Sequence, residues 1–125
     1  MNFKSLVNHI KKRKDQININ LVKKAYIFAK NAHSGDRRAS NEPYIKHLLN
    51  VASILNDLGM DEESIAAGLL HDIIEDTDTT YNTIEKEFGT IIANLVDGVT
   101  KISKIELKDK LERDTESLRK VLLAT

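Results

Sequence analysis

The chain has 125 residues with one proline, five glycines and no cysteine, a length suited to a single compact domain with one modest core. Lysine plus arginine and aspartate plus glutamate both total 19, so no global basic field draws the protein to nucleic acid, and an anionic ligand must be captured locally. The absence of cysteine excludes a disulfide framework, a thiolate metal site and a cysteine nucleophile, suits a reducing cytosol, and leaves His, Asp and Glu as metal donors.

No apolar run approaches the roughly 18 residues of a membrane span, and "MNFKSLVNHIKKRKD" holds no apolar stretch long enough for a secretory signal. Phe3, Leu6, Val7 and Ile10 lie on one side of this basic segment, which reads as a packed first helix; presequences and membrane-surface helices share the pattern. After a "DQININ" connector, Asn20 can cap a second helix in which Leu21, Val22, Ala25, Phe28, Ala29 and Ala32 recur at helical spacing. "HSGDRRASNE" breaks that pattern and reads as an arginine-bearing loop. Pro43 suits the first turn of a third helix with the stripe Tyr44, Leu48, Val51, Ala52, Leu55 and Leu58, ended by Gly59. Asp61 can cap the next helix, which runs through Ile65, Ala66, Leu69, Leu70, Ile73 and Ile74 to about Asp76.

Thr77 to Thr80 turn the chain, "YNTIEKEF" is a short helix stopped by Gly89, and Thr90 starts another with Ile91, Ile92, Leu95, Val96 and Val99. "KISKIELKDK" reads as an irregular charged connector, because its short alternation of Ile102, Ile105 and Leu107 has no sheet to join. From about residue 110, Leu111, Leu118, Val121 and Leu122 suggest the start of a last helix. The fold class is therefore all-α, with about six to seven short helices and no internal repeat or linker.

"GLLHDIIEDTD", residues 68–78, begins as an apolar helix and ends as one histidine and four acids. On a continuous helix His71, Asp72, Glu75 and Asp76 span an arc of about 140°, with His71 over Glu75 and Asp72 over Asp76. Carboxylates so placed repel, and a cation would remove the penalty. The plain alternative is a solvated last turn, yet acids at a helix C-terminus oppose its macrodipole, which favours a functional reading. His47 flanks the third helix's apolar stripe, where a lone histidine is usually a satisfied core residue. With His71 and Asp72 it offers a His, His, Asp set suited to Mn²⁺, Fe²⁺ or Zn²⁺.

"RRASNEPYIKH", "HDIIEDT" and "FGTIIANLVDGVTK", in this order, resemble the HD-domain hydrolase half of the RelA/SpoT alarmone enzymes, from about Leu21 to Thr125. The resemblance implies an HD-domain helical bundle, with residues 1–19 as an N-terminal helix and connector and 20–125 as the family-like part of one domain. It implies metal-dependent hydrolysis of the 3′-pyrophosphate of (p)ppGpp, giving GDP or GTP and pyrophosphate in the stringent response. His47, His71 and Asp72 are then ligands of one Mn²⁺, and Glu75 and Asp76 activate or orient the attacking water. Arg38 and Ser40 hold the nucleotide, a role that a planar guanidinium suits.

The sequence departs from the family pattern in three places. "RASNEPY" stands where "RKSGEPY" is usual, so Ala39 replaces a loop lysine and Asn41 a glycine, which weakens nucleotide binding. Leu48 replaces a proline, with little consequence. The family's fourth metal ligand, an aspartate in a motif resembling "KLADRLHNMRT", lies beyond "RKVLLAT"; Asp97, Asp109 and Asp114 are substitutes with plainer explanations, Asp97 as part of a structural "VDGVT" turn. The expectation is a truncated hydrolase domain over residues 1–125 that turns over (p)ppGpp or keeps only nucleotide binding. A helical interaction module with an acidic surface is a third reading. Expected partners are ppGpp or pppGpp, with no nucleic acid or membrane, and self-association or a complementing polypeptide over the uncovered edge. The expected compartment is the cytoplasm.

Overall fold

The computed structural model describes residues 2–34 and 43–106, with side chains through residue 99. Among these residues it forms seven α-helices and no extended strand: α1 (Phe3–Lys11), α2 (Ile19–Ala32), α3 (Tyr44–Asp57), α4 (Glu62–Leu70), α5 (Ile73–Asp76), α6 (Tyr81–Phe88) and α7 (Thr90–Glu106). None is long and apolar enough to cross a membrane. The all-α expectation holds. The chain groups into two compact units, residues 1–70 and 71–125.

In the first unit, α4 packs on α2 and α3, and α1 packs on α3. Every residue of α4 from Ser64 to Leu70 is buried, the pattern of a helix with neighbours on several sides. Ile65, Leu69 and Leu70 are fully buried, and each contributes about 1.5–3 kcal/mol of apolar transfer energy. On α3 the buried set is Leu48, Leu49, Val51, Ala52 and Leu55, close to the predicted stripe. Leu58 is 41% exposed, because it sits at the C-cap of α3, where the helical face ends. The stacked rings of Phe3 and Tyr26, with centroids 4.4 Å apart, join α1 to α2.

Two helix starts differ from expectation. The side chain of Asn18, not Asn20, caps α2 by accepting from the Leu21 amide at 3.1 Å; Asn20 lies inside the first turn. Pro43 is the residue before the first turn of α3, with an extended ψ of 134°. Asp61 caps α4 as predicted, accepting from the Ser64 amide at 2.8 Å.

The turn from α3 to α4 closes by two backbone bonds: the Gly59 amide donates to the Asn56 carbonyl at 2.9 Å, and the Met60 amide to the Leu55 carbonyl at 3.1 Å. This arrangement requires a left-handed residue, supplied by Gly59 at φ 77°. Arg13, arriving from beyond α1, fastens the turn. Its Nη1 donates to Asn56 Oδ1 at 3.2 Å and to the Met60 carbonyl at 2.6 Å, and its Nη2 donates to the Gly59 carbonyl at 3.1 Å. Its Nε and Nη2 also donate to the Asp15 carboxylate at 2.9 and 2.6 Å. All of the guanidinium's N–H donors are thereby used.

In the second unit, α7 packs on α5 and α6. Thr80 caps α6 by accepting from the Thr83 amide, and Gly89 ends it at φ 92°, as predicted. Tyr81 donates to Asn94 Oδ1 at 2.6 Å and Thr90 to Glu85 Oε2 at 3.3 Å, tying α6 to α7. The buried face of α7 is Ile92, Ala93, Val96 and Val99, whereas Ile91 is 61% exposed and does not belong to the core stripe. Two further corrections fall on this helix. Asp97 and Gly98 lie in its interior rather than in a turn, and residues 101–106 continue it rather than forming an irregular connector, since no breaker interrupts the run. Asp109, Asp114 and the expected last helix lie outside the described residues.

Arg13→Lys, which cannot reproduce the planar fork, is expected to lower stability by about 1–3 kcal/mol in urea denaturation. Gly59→Ala is expected to cost about 1–2 kcal/mol from backbone strain alone, because an added Cβ meets nothing within 4 Å. The hydrogen bond from Arg13 holds the Asp15 carboxyl below its ordinary value of 3.8. The contribution of Asp15 is therefore present above that value and lost as pH falls through the lowered one. Comparing wild type with Asp15→Asn from neutral to acid pH measures it, and a difference that grows as pH falls would contradict this assignment.

Candidate functional site

His47 lies one turn into α3 and is buried. Tyr44, three residues earlier on the same helix, meets the His47 ring edge-on with centroids 5.5 Å apart and planes at 70°. The other neighbour of Tyr44 is His33, the C-cap of α2, stacked on it at 4.7 Å and 24°. Aromatic pairs of this kind contribute about 0.5–1.5 kcal/mol beyond area burial. Two helices thus supply a row of three rings ending at His47. His33 is buried and was not singled out in the sequence; the available signal was its place on the row Ala25, Ala29, His33, which continues the buried i, i+4 face of α2.

The hairpin of α3 and α4 positions the next residues. From His47 the chain climbs about 15 Å to Asp57, turns in four residues and returns about 12 Å along α4.

The expectation of one helix through to Asp76 is overturned here. α4 ends at Leu70, His71 and Asp72 form a turn, and α5 begins at Ile73. Asp72, at φ −102° and ψ 2°, departs from helical ψ, which separates the two segments. With that break, the continuous 140° arc of His71, Asp72, Glu75 and Asp76 does not exist. Nor do the acids oppose a long helix's C-terminal macrodipole, because Glu75 and Asp76 sit on a four-residue helix with little dipole.

The break instead builds a close pair. His71 Nε2 lies 2.9 Å from Asp72 Oδ2, the imidazole 1% and the carboxylate side chain 14% exposed. Asp72 occupies the N-cap of α5, a position where aspartate commonly accepts from the helix amides, yet its side chain makes no capping bond; the carboxylate is directed at the imidazole. The two atoms are close but not in hydrogen-bond alignment. The separation suits two donors on adjacent positions of one ion at about 2.1 Å from each, which lie about 3.0 Å apart.

His71 and Asp72 thus form a His/Asp pair with the donor chemistry of a divalent-metal site, and His47 offers a further buried imidazole. Glu75 and Asp76 follow the pair after Ile73 and Ile74 and are exposed to solvent. The Asp76 amide donates to the Asp72 carbonyl at 2.9 Å and the Thr77 amide to the Ile73 carbonyl at 3.1 Å, so α5 holds its carboxylates in one turn after Asp72. Arg38 and Ser40 lie outside the described residues.

Comparison with known proteins agrees with these features. The sequence model of the HD domain matches residues 25–125. A protein of Aquifex aeolicus (strain VF5) named guanosine-3′,5′-bis(diphosphate) 3′-pyrophosphohydrolase is 53% identical over 104 residues, covering 83% of this chain and 14% of that protein. The bifunctional (p)ppGpp synthase/hydrolase SpoT of Escherichia coli (strain K12) is 43% identical over 122 residues, covering 98% of this chain and 17% of that protein. The chain thus spans 14% and 17% of the length of these two relatives. Among solved structures, a metazoan ortholog of SpoT that hydrolyses ppGpp superposes with a TM-score of 0.66 at 27% identity, covering 86% of this chain and 68% of that one. From the match over residues 25–125 and the helical architecture, the chain belongs to the HD-domain family, with homology to the SpoT ppGpp hydrolases.

Proposed function

We propose that residues 20–125 are the metal-bearing portion of a (p)ppGpp 3′-pyrophosphohydrolase, with His47, His71 and Asp72 holding one Mn²⁺. The observation that carries this reading is the His71–Asp72 pair: a buried imidazole and a carboxylate, 2.9 Å apart, at the one break in an otherwise apolar helical run. Two imidazole nitrogens and a carboxylate oxygen are donors a first-row divalent ion accepts, and the set leaves positions open for water and phosphate oxygens. When bound, the ion would polarise a phosphoryl oxygen and lower the pKa of water.

The remaining chemistry falls to side chains. Release of pyrophosphate with GDP or GTP requires cleavage of the bond between the ribose O3′ and its phosphorus. A water oxygen forms the new bond to that phosphorus, pyrophosphate departs with it, and O3′ takes up a proton to become a hydroxyl. Glu75 and Asp76, exposed beside the pair, are the groups to orient the water and accept its proton. Arg38 and Ser40 are assigned to the guanine nucleotide, on the match of their loop to the family pattern. A cytoplasmic location fits a nucleotide substrate and a chain without cysteine.

The test is pyrophosphate release from ppGpp by purified protein titrated with Mn²⁺. Chelation is expected to abolish release and added Mn²⁺ to restore it. Asp72→Ala is expected to lower it by at least about 100-fold, taking the larger end of the loss from a perturbed metal shell. Glu75→Gln and Asp76→Asn are each expected to cost about 10²–10⁴-fold while leaving Mn²⁺ affinity near wild type. Nucleotide binding without release would favour a binding module, a result that Ala39 in the nucleotide loop also makes intelligible. Release that survives Asp72→Ala would remove the metal assignment.

A further inference from the structure

We infer that Tyr44 is a positioning residue for His47: its ring, held between the imidazoles of His33 and His47, sets the direction in which His47 presents its nitrogens to the cation. The inference rests on the metal reading above, and concerns what makes that ligand ready to bind.

A histidine ring turns about a broad, roughly two-fold torsion, so helix backbone and χ1 alone leave its plane loosely defined. Something must restrict the plane before the nitrogen lone pair points in one direction. Residues three apart on a helix are neighbours, and at that spacing Tyr44 meets His47 at 70° and 5.5 Å. The Tyr44 ring is itself held from the other side by His33, 4.7 Å away and nearly parallel at 24°. His33 and His47 are both buried and Tyr44 between them is half-buried, so the two imidazoles at the ends of the row are the more confined. The two anchors come from different helices: His33 closes α2, and Tyr44 opens α3. The ring contacts thus carry the place of the α2 C-cap to the plane of His47. Groups that orient a metal-binding histidine commonly affect affinity by about 10–100-fold.

The experiment measures Mn²⁺ affinity calorimetrically on the full chain for wild type, Tyr44→Leu, Tyr44→Phe and His47→Ala, with thermal midpoints recorded alongside. Tyr44→Leu keeps apolar bulk but removes the ring, and is expected to weaken Mn²⁺ by about 10–100-fold beyond what its midpoint explains. Tyr44→Phe restores the ring and is expected to restore the affinity. Wild-type affinity in Tyr44→Leu, or equal weakening in Tyr44→Phe, would overturn the inference. Mn²⁺ binding unchanged in His47→Ala would instead overturn the metal reading.

A second measurement needs no substitution. In the metal-free wild-type protein, nuclear Overhauser contacts are expected from the Tyr44 ring to both the His33 and the His47 rings, with the His47 ring held in one orientation. A His47 ring that averages freely would overturn the positioning role whatever the metal result.

Discussion

The guanidinium of Arg13 is the fastening on which the first unit depends. It comes from the segment after α1, yet its donors end on Asn56, Gly59 and Met60 at the close of α3, and on Asp15 beside it. The last turn of α3 carries no basic residue of its own, so Arg13 supplies the positive charge that helix carbonyls favour there. Carbonyls and an amide oxygen that would otherwise need water are satisfied in one contact. With Gly59 providing the left-handed turn and Asp61 capping the next helix, the path from α3 to α4 has a single geometry.

Beyond Leu70 a local preference gives way to chemistry. The apolar run through Ile73 and Ile74 would sustain one helix, and the chain breaks at its two most polar residues. At that break Asp72 takes a capping position without capping, and its carboxylate faces the His71 imidazole. A buried imidazole next to a carboxylate is stable as a pair or with a cation, and costly with neither. The four-residue α5 then carries Glu75 and Asp76 into solvent, where water is available to a carboxylate.

The row His33, Tyr44, His47 adds a second form of preorganisation. The imidazole of His47 meets the Tyr44 ring edge-on, a contact that restricts its plane.

Much of the fold was legible in the sequence, because helix starts and stops are local. Asp61, Gly59 and Gly89 act at the positions their chemistry demands, and the stripe of α3 faces inward up to Leu55. The candidate ligands His47, His71 and Asp72 could also be named, since their residue types and their order resemble a family. The errors arose where local signals were absent or misleading. The break after Leu70 has no glycine or proline to announce it, and Asp97 lies within a helix although its neighbours resemble a turn. Residue types and spacing alone determined that this protein is helical and carries an imidazole–carboxylate set. Tertiary structure alone decided that Arg13 locks the α3–α4 turn and that His33 stacks on Tyr44 beside His47, because each depends on two segments whose approach no local pattern encodes.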